Sequence, residues 1–164
     1  MPFRLQILVA EDNPDCALSL ARLLQMCGHQ RVRVVSDGPS VLTAVATGGT
    51  DVVLLDIAIP VLNGWEVARR IRAMPLPKRP IIVAITGFGW DEDRQRSAEA
   101  GIDFHLLKPA DPQQLLDLLQ VIATNHQSDS SNEEHIAATA ELRETTAITM
   151  DKSLRLEHGR FLLG

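Results

Sequence analysis

Residues 52–56 read Val-Val-Leu-Leu-Asp, four apolar side chains that end on a carboxylate. Residues 5–10 and 81–85 are also apolar almost throughout. Short runs of this kind are typical of strands that are covered on both faces, as in a parallel sheet. Residues 31–34 alternate between polar and apolar and therefore predict a half-exposed edge strand. Residues 104–107 predict a fifth strand.

Segments with helical signals lie between these predicted strands. Asn13 before Pro14, and Asp111 before Pro112, each place a capping side chain ahead of a proline at the first helical position. Gly28 marks the end of the first helix. The predicted helices cover about residues 14–27, 39–47, 64–73, 91–100 and 112–124. Strand and helix alternate five times, which predicts an α/β fold with a doubly wound five-stranded parallel sheet and right-handed crossovers.

Composition narrows the class of protein. The 164 residues are 45% hydrophobic, which is enough for the core of one domain. The net charge is -5, whereas binding to nucleic acid or to an anionic membrane requires a basic surface. No apolar stretch reaches the roughly 18 residues that span a bilayer, and no signal-peptide pattern opens the chain. We expect a cytoplasmic protein with no direct nucleic-acid or membrane partner. Cys16 and Cys27, about 16 Å apart in one predicted helix, are expected to be packing residues without a disulfide.

The predicted domain covers residues 1–124, with a net charge of -2, and residues 125–164 carry -3. Residues 127–134, Gln-Ser-Asp-Ser-Ser-Asn-Glu-Glu, are typical of a solvated linker. Residues 125–164 are therefore predicted to be a linker and a short C-terminal tail, partly helical or disordered. A tail of this length is short for a DNA-binding effector domain, so we expect a stand-alone domain that acts through protein contacts.

Charged side chains stand at the predicted strand ends. In sheets of this kind, functional groups collect beyond the carboxyl ends of the strands, where the strand order reverses. The residues at those ends are Glu11, Asp12, Asp56, Thr86 and Lys108. Neighbouring carboxylates repel one another, and a divalent cation removes this repulsion; Mg²⁺ prefers such oxygen ligands. The cluster is predicted to hold Mg²⁺ and to receive a phosphoryl group, with a carboxylate as nucleophile.

Residues 5–124 resemble a response regulator receiver domain of two-component signalling, of the chemotaxis-regulator type. The matching elements, in order, are Glu11-Asp12, Asp56 with Pro60 and Gly64, Thr86-Gly87, and Lys108-Pro109. The resemblance implies the flavodoxin-like strand order 2-1-3-4-5, with helices on both faces. It also implies that a histidine kinase or phosphotransfer protein supplies the phosphoryl group. Such a chain is no enzyme in the usual sense, since it catalyses only its own phosphorylation and dephosphorylation.

The resemblance gives each site residue a role. Asp56 is the implied phosphoacceptor, Lys108 is implied to pair with the phosphoryl oxygens, and Thr86 is implied to donate its hydroxyl to them. The implied ligands of Mg²⁺ are Asp12, Asp56, the backbone carbonyl of Ala58 and, through water, Glu11. A cis peptide bond before Pro109 is implied as well.

The resemblance also implies a switch. Phosphorylation is expected to pull Thr86 inward and to change the surface of the fourth helix, fifth strand and fifth helix, which would contact a downstream protein partner or form a homodimer. His105 stands where the family has its aromatic switch residue. Ala58 and Phe88 occupy the two positions that flank the attacking water, and neither side chain forms hydrogen bonds. We therefore predict slow self-dephosphorylation, with Phe88 shielding the phosphate.

Three other functions are compatible with such a sheet. A receiver-like binding module would work without phosphorylation. A Mg²⁺-dependent phosphatase with an aspartyl nucleophile would need a second acid two residues beyond Asp56, where this chain has Ala58. A flavin carrier would need a first loop rich in Ser, Thr and Gly, whereas this loop reads Glu-Asp-Asn-Pro.

Overall fold

The computed structural model describes residues 5–29, 31–87 and 91–128. The strands are β1 (Gln6–Ala10), β2 (Arg31–Val35), β3 (Val52–Leu55), β4 (Ile81–Thr86) and β5 (Phe104–Leu107). The helices are α1 (Pro14–Met26), α2 (Gly38–Ala46), α3 (Gly64–Ala73), α4 (Asp91–Glu99) and α5 (Pro112–Ser128). Phe88 and residues 129–164, which include most of the predicted tail, lie outside the described residues.

The strands form one parallel sheet in the order β2-β1-β3-β4-β5. The predicted fold class and strand order are thus confirmed. β2, predicted as a half-exposed strand, lies at one edge, while β1 and β3 lie inside the sheet and are almost fully buried. The order reverses at β1, so the crevice for functional groups opens between the ends of β1 and β3.

Two apolar clusters cover the two faces of the sheet. On one face, Val41 and Val45 of α2 and Val67 and Ile71 of α3 pack on the strands. On the other face, α1 and α5 pack on the strands through the side chains of Leu24, Leu115, Leu118, Leu119 and Ile122. Because side chains alternate along a strand, each buried strand contributes to both clusters. This double burial explains why the strand sequences are continuously apolar.

Most predicted helix boundaries agree with the structure. The Asn13 side chain caps α1 by accepting hydrogen bonds from the backbone N–H groups of Asp15 and Cys16, at 3.0 and 3.1 Å. α5 runs to Ser128 rather than to residue 124, since residues 124–128 contain neither the glycine nor the proline that would end a helix. The predicted domain boundary at residue 124 stays a prediction. Within the described ranges, no helix has the length and apolar character needed to cross a bilayer.

The expectation that both cysteines are packing residues is wrong. Cys16 and Cys27 are exposed free thiols. The buried stripe of α1 consists of Ala17, Ala21 and Leu24, which follow helical spacing. Cys16 precedes this stripe and Cys27 follows the last helical residue, so neither side chain faces the sheet.

Arg72 ties three backbone segments together at the amino-terminal ends of the strands. Its guanidinium donates to the carbonyl oxygens of Gly101 and Pro80, both at 2.8 Å, and to Asp103 Oδ2 at 2.6 Å. The same Asp103 oxygen accepts the N–H of Ile82 at 2.9 Å. α3 is thereby fixed to the loops before β4 and β5. The ion pair is largely buried, so losing one partner leaves the other poorly solvated.

His29, which follows α1, is half-buried. Its Nδ1 atom is buried and has no hydrogen-bond partner among the described residues. Burial lowers the pKa of His29 below its ordinary value of 6.5, because the charged imidazolium loses hydration. Near neutral pH the folded protein therefore favours the neutral imidazole.

We predict that Arg72→Met lowers the free energy of unfolding by about 2–4 kcal/mol, because it leaves Asp103 and two carbonyls without this donor. Urea denaturation measures the change. Arg69→Met is the matched control on α3, since Arg69 is exposed and pairs only with Glu66 among the described residues. The control should lower the free energy of unfolding by less than about 0.5 kcal/mol. Equal effects of the two substitutions would contradict the anchoring role of Arg72.

The lowered pKa of His29 predicts a pH-dependent stability. In the unfolded chain His29 binds a proton near pH 6.5, whereas in the folded protein it binds one only at lower pH. Acid therefore favours the unfolded state, and this contribution to stability is complete above pH 6.5 and is lost as the pH falls below it. His29→Gln should reduce the loss of stability between about pH 7.5 and 5.5, as measured by urea denaturation. Identical pH profiles for variant and parent would rule the effect out.

Candidate functional site

The predicted site residues converge at the carboxyl edge of the sheet. Glu11 follows β1, Asp56 follows β3 and Lys108 follows β5, while Thr86 is the last residue of β4. Backbone hydrogen bonds continue beyond the strands at each position. Glu11 N donates to Val35 O at 3.1 Å, Asp56 N to Ala10 O at 2.9 Å, and Lys108 N to Thr86 O at 2.9 Å. The sheet itself therefore fixes where these side chains begin.

Lys108 bridges two of the carboxylates. Its Nζ donates to Glu11 Oε2 at 2.5 Å and to Asp56 Oδ2 at 2.8 Å, and both carboxylates are buried. Burial lowers the pKa of Lys108, but the hydrogen bonds and negative charges of Asp56 and Glu11 outweigh it and raise the pKa above its ordinary value. The ammonium is therefore charged near neutral pH. The sequence did not predict this direct contact between Glu11 and Lys108.

Backbone N–H groups hold the other oxygen of each buried carboxylate. Asp56 Oδ1 accepts from Ala58 N at 2.9 Å, and Glu11 Oε1 accepts from Asn13 N at 3.2 Å. Both N–H groups come from the loop that follows the carboxylate. The Ala58 contact brings its backbone beside Asp56, where the family resemblance implied a metal-binding carbonyl. Each carboxylate is thus held in one orientation from both sides.

The residues present fit a divalent cation. Glu11, Asp12 and Asp56 each offer a carboxylate oxygen, and these oxygens all lie within 4.8 Å of one another. Asp12 is exposed, so one side of the cluster opens to solvent. Three carboxylates against the one ammonium of Lys108 leave two negative charges, which a divalent cation would balance. Oxygen donors with open access are the set that Mg²⁺ binds while keeping several waters.

Thr86 and His105 lie on the same face of neighbouring strands. β4 and β5 pair Ala84 with His105 and Thr86 with Leu107. Thr86 and Ala84 share one face of β4, so Thr86 is a diagonal neighbour of His105. Thr86 is fully buried and His105 is half-buried. The structure therefore places the two predicted switch residues next to each other, whereas Phe88 lies outside the described residues.

A strained turn follows β3 and was not predicted from the sequence. Leu62 N donates to Pro60 O at 2.9 Å across Val61, whose φ of 70° is left-handed. This pattern is the rarer form of γ-turn, which is unfavourable for a β-branched residue. Gly38 N at the start of α2 also donates to Pro60 O, at 3.3 Å. Val61 is 80% exposed, so burial of its side chain does not compensate the strain.

Comparison with known proteins identifies a family. The profile of the response regulator receiver domain matches residues 7–120. The gliding motility regulatory protein of Myxococcus xanthus is 30% identical over 105 residues, which are 64% of this chain and 13% of that protein. The transcriptional regulatory protein TcrA of Mycobacterium tuberculosis is 35% identical over 118 residues, 72% of this chain and 46% of that protein. The chain therefore spans less than half the length of either relative.

A solved structure shows the same fold. The receiver domain of the sensor histidine kinase PA1611 from Pseudomonas aeruginosa PAO1 is 31% identical, with a TM-score of 0.68. The match covers 74% of this chain and 98% of that domain. That structure has a magnesium ion coordinated in its active site cleft.

We predict that Val61→Gly raises the free energy of unfolding by about 1 kcal/mol, because glycine adopts a positive φ without the clash of a branched side chain. Val61→Thr is the matched control: it keeps the branched Cβ and should leave stability within about 0.5 kcal/mol of the parent. Thermal or urea denaturation measures both. If glycine destabilises the protein as much as in an ordinary loop, Val61 carries no strain.

Proposed function

Because the chain belongs to the response regulator receiver domain family, we propose that it accepts a phosphoryl group on Asp56 and passes the signal to a protein partner. The donor is a histidine kinase or a phosphotransfer protein. The module is a signalling device of two-component systems, and the only reactions that it catalyses are its own phosphorylation and dephosphorylation. We place it in the cytoplasm.

The observation that carries this proposal is the fixed position of Asp56. Its carboxylate is held by Ala58 N on one oxygen and by Lys108 Nζ on the other. One carboxylate oxygen attacks the phosphorus of a phosphohistidine; the new P–O bond forms as the P–N bond breaks, and the imidazole leaves with the bonding electron pair. Positioning and charge neutralisation account for most of the catalysis of phosphoryl transfer, and the ammonium of Lys108 supplies part of both.

Mg²⁺ is the cofactor that the donor set supports. We assign its ligands to Asp12, Asp56 and the carbonyl of Ala58, with Glu11 acting through water. When bound, the cation neutralises the clustered carboxylates and the incoming phosphoryl oxygens. We propose a second role for Glu11, which is to hold the ammonium of Lys108 beside Asp56; the hydrogen bond between Lys108 and Glu11 supports it.

The signal is passed to a partner through residues near the carboxyl ends of β4 and β5. We propose that the hydroxyl of Thr86 binds the phosphoryl oxygens and that His105, its diagonal neighbour, responds to this movement. The change would alter the surface of α4, β5 and α5, to which a downstream protein or a second copy of the chain binds. His105 is half-buried, so a change in its position would reach that surface.

We predict that Asp56→Asn abolishes Mg²⁺-dependent phosphorylation by acetyl phosphate. Intact mass spectrometry should show one added phosphoryl group on the parent and none on the variant, because the amide is a poor nucleophile. Asp117→Asn, on the exposed side of α5, is the control and should be labelled normally. Removing Mg²⁺ with EDTA should prevent labelling of the parent. A parent chain that binds Mg²⁺ but is never labelled would favour the binding module that works without phosphorylation.

Ala58 and Phe88 generate a prediction about the lifetime of the phosphorylated state. Neither side chain can orient a water molecule for attack on the phosphorus, so self-dephosphorylation should be slow. The double variant Ala58→Asn with Phe88→Glu should shorten the phosphoryl half-life by about tenfold, because both new side chains hydrogen-bond to water. Loss of the phosphoryl group, followed by mass spectrometry after removal of the donor, measures it. An unchanged half-life would contradict this role for the two positions.

A further inference from the structure

Helix α4 lacks the apolar stripe that holds the other helices. Its sequence, Asp-Glu-Asp-Arg-Gln-Arg-Ser-Ala-Glu, has Ala98 as its single apolar residue. Among its side chains at positions 93–99, whose burial is described, only Ser97 is buried. A helix without an apolar face gains little from hydrophobic packing along its own length, so polar contacts contribute to fixing its position.

Two such contacts come from one side chain, Trp65 of α3. Its indole Nε1–H donates to Ser97 Oγ at 3.0 Å. The guanidinium of Arg96 lies over the same indole ring, 4.9 Å from the ring centre, within the range of a cation–π interaction. Trp65, Arg96 and Ser97 are called the clasp below. A further contact lies just past the helix, where Arg72 Nε donates to Gly101 O at 2.8 Å.

The clasp joins a firmly held helix to a weakly held one. α3 buries Val67, Ala68 and Ile71 completely in the core, and its first turn touches the strand end that carries the phosphoacceptor. Gly64 N donates to Ile57 O at 2.9 Å, and a Cβ atom at Gly64 would lie 3.0 Å from Asp56 O. Trp65 is therefore fixed relative to Asp56, and its contacts join α4 to that fixed position, in addition to the core packing of Ala100 and Ile102 just past the helix.

We propose that the clasp holds α4 in its resting position against α3 and thereby opposes the uptake of a phosphoryl group at Asp56. This rests on the proposed function, in which phosphorylation changes the position of α4. The clasp contacts belong to the resting arrangement, so they add to the free energy needed to leave it. By linkage, any change that weakens them raises the affinity of the site for a phosphoryl group or its analogue.

The alternative explanation is that Trp65 only packs between α3 and α4 and does not hold α4 in place. That role needs the ring but not the N–H donor, the Ser97 hydroxyl or the Arg96 cation. Ser97→Ala removes the hydroxyl and keeps both tryptophans, so it separates the two explanations. Because alanine also favours helix formation, Gln95→Ala is the matched control. The described hydrogen bond of Gln95 stays within α4, to Glu99 at 3.1 Å.

The experiment is a titration of the full chain with beryllofluoride, a phosphoryl analogue, in the presence of Mg²⁺, followed by tryptophan fluorescence. We expect Ser97→Ala to bind the analogue about fivefold more tightly than the parent, which is the effect of one ordinary hydrogen bond. Gln95→Ala should match the parent. Trp65→Phe, titrated by calorimetry, should also bind more tightly, and combining it with Ser97→Ala should add nothing, because both remove the same bond.

Hydrogen exchange of the analogue-free protein provides an independent readout. Amides of residues 93–99 should exchange faster in Ser97→Ala than in Gln95→Ala, while α3 stays unchanged. If the parent binds no analogue, the proposed function itself fails and the clasp proposal fails with it. If the parent binds but Ser97→Ala and Trp65→Phe bind equally well or more weakly, only the clasp proposal is overturned.

Discussion

The ion pairs of Lys108 with Glu11 and Asp56 are the contacts on which the site depends. They join the carboxyl ends of three strands that lie far apart in sequence. One of these is an outer strand of the sheet, and the other two are inner strands. Buried carboxylates in contact would otherwise repel each other, and the ammonium lowers that repulsion without removing it. The residual negative charge makes this cluster at the carboxyl ends of the strands suitable for a divalent cation. The same lysine therefore both lowers the repulsion within the acidic cluster and fixes one oxygen of Asp56.

The two edges of the sheet are built differently. At the amino-terminal edge, Arg72 donates to two carbonyls and one carboxylate, so its contacts are satisfied and require no ligand. At the carboxyl edge, Asp12 is exposed and Val61 occupies an unfavourable conformation. Strain and unbalanced charge are thus found at the carboxyl ends of the strands, whereas the charge of Arg72 at the opposite ends is satisfied within the protein.

The sequence predicted the parts of this structure that follow from local pattern. Continuous apolar runs identified β3 and β4 because those strands are buried on both faces, and the prolines after Asn13 and Asp111 identified helix starts. The acidic cluster was predicted from the direction of the parallel strands, whose carboxyl ends meet on one side of the sheet. The cis peptide bond before Pro109, which the resemblance implied, is present.

Features that depend on side-chain geometry between distant segments could not be predicted in this way. Nothing local in the sequence links Glu11 to Lys108 or Trp65 to Ser97, since each pair meets only when the sheet and both helices are in place. The prediction that both cysteines pack in the core failed for a related reason. A position within a predicted helix does not say whether that residue lies on the face that contacts the core. The turn at Val61 was missed because valine gives no signal for a positive φ.

The polar character of α4 is consistent with the proposed movement of this helix. One buried leucine contributes roughly 1.5–3 kcal/mol, so a helix held by an apolar stripe of several such residues would cost more to displace than a single ligand commonly supplies. Allosteric coupling free energies are typically about 1–3 kcal/mol. A hydrogen bond and a cation–π contact each contribute about 1 kcal/mol, which places the hold of Trp65 on α4 within that range. On the proposed function, a helix attached by these contacts is held in its resting position and one phosphoryl group is enough to shift it.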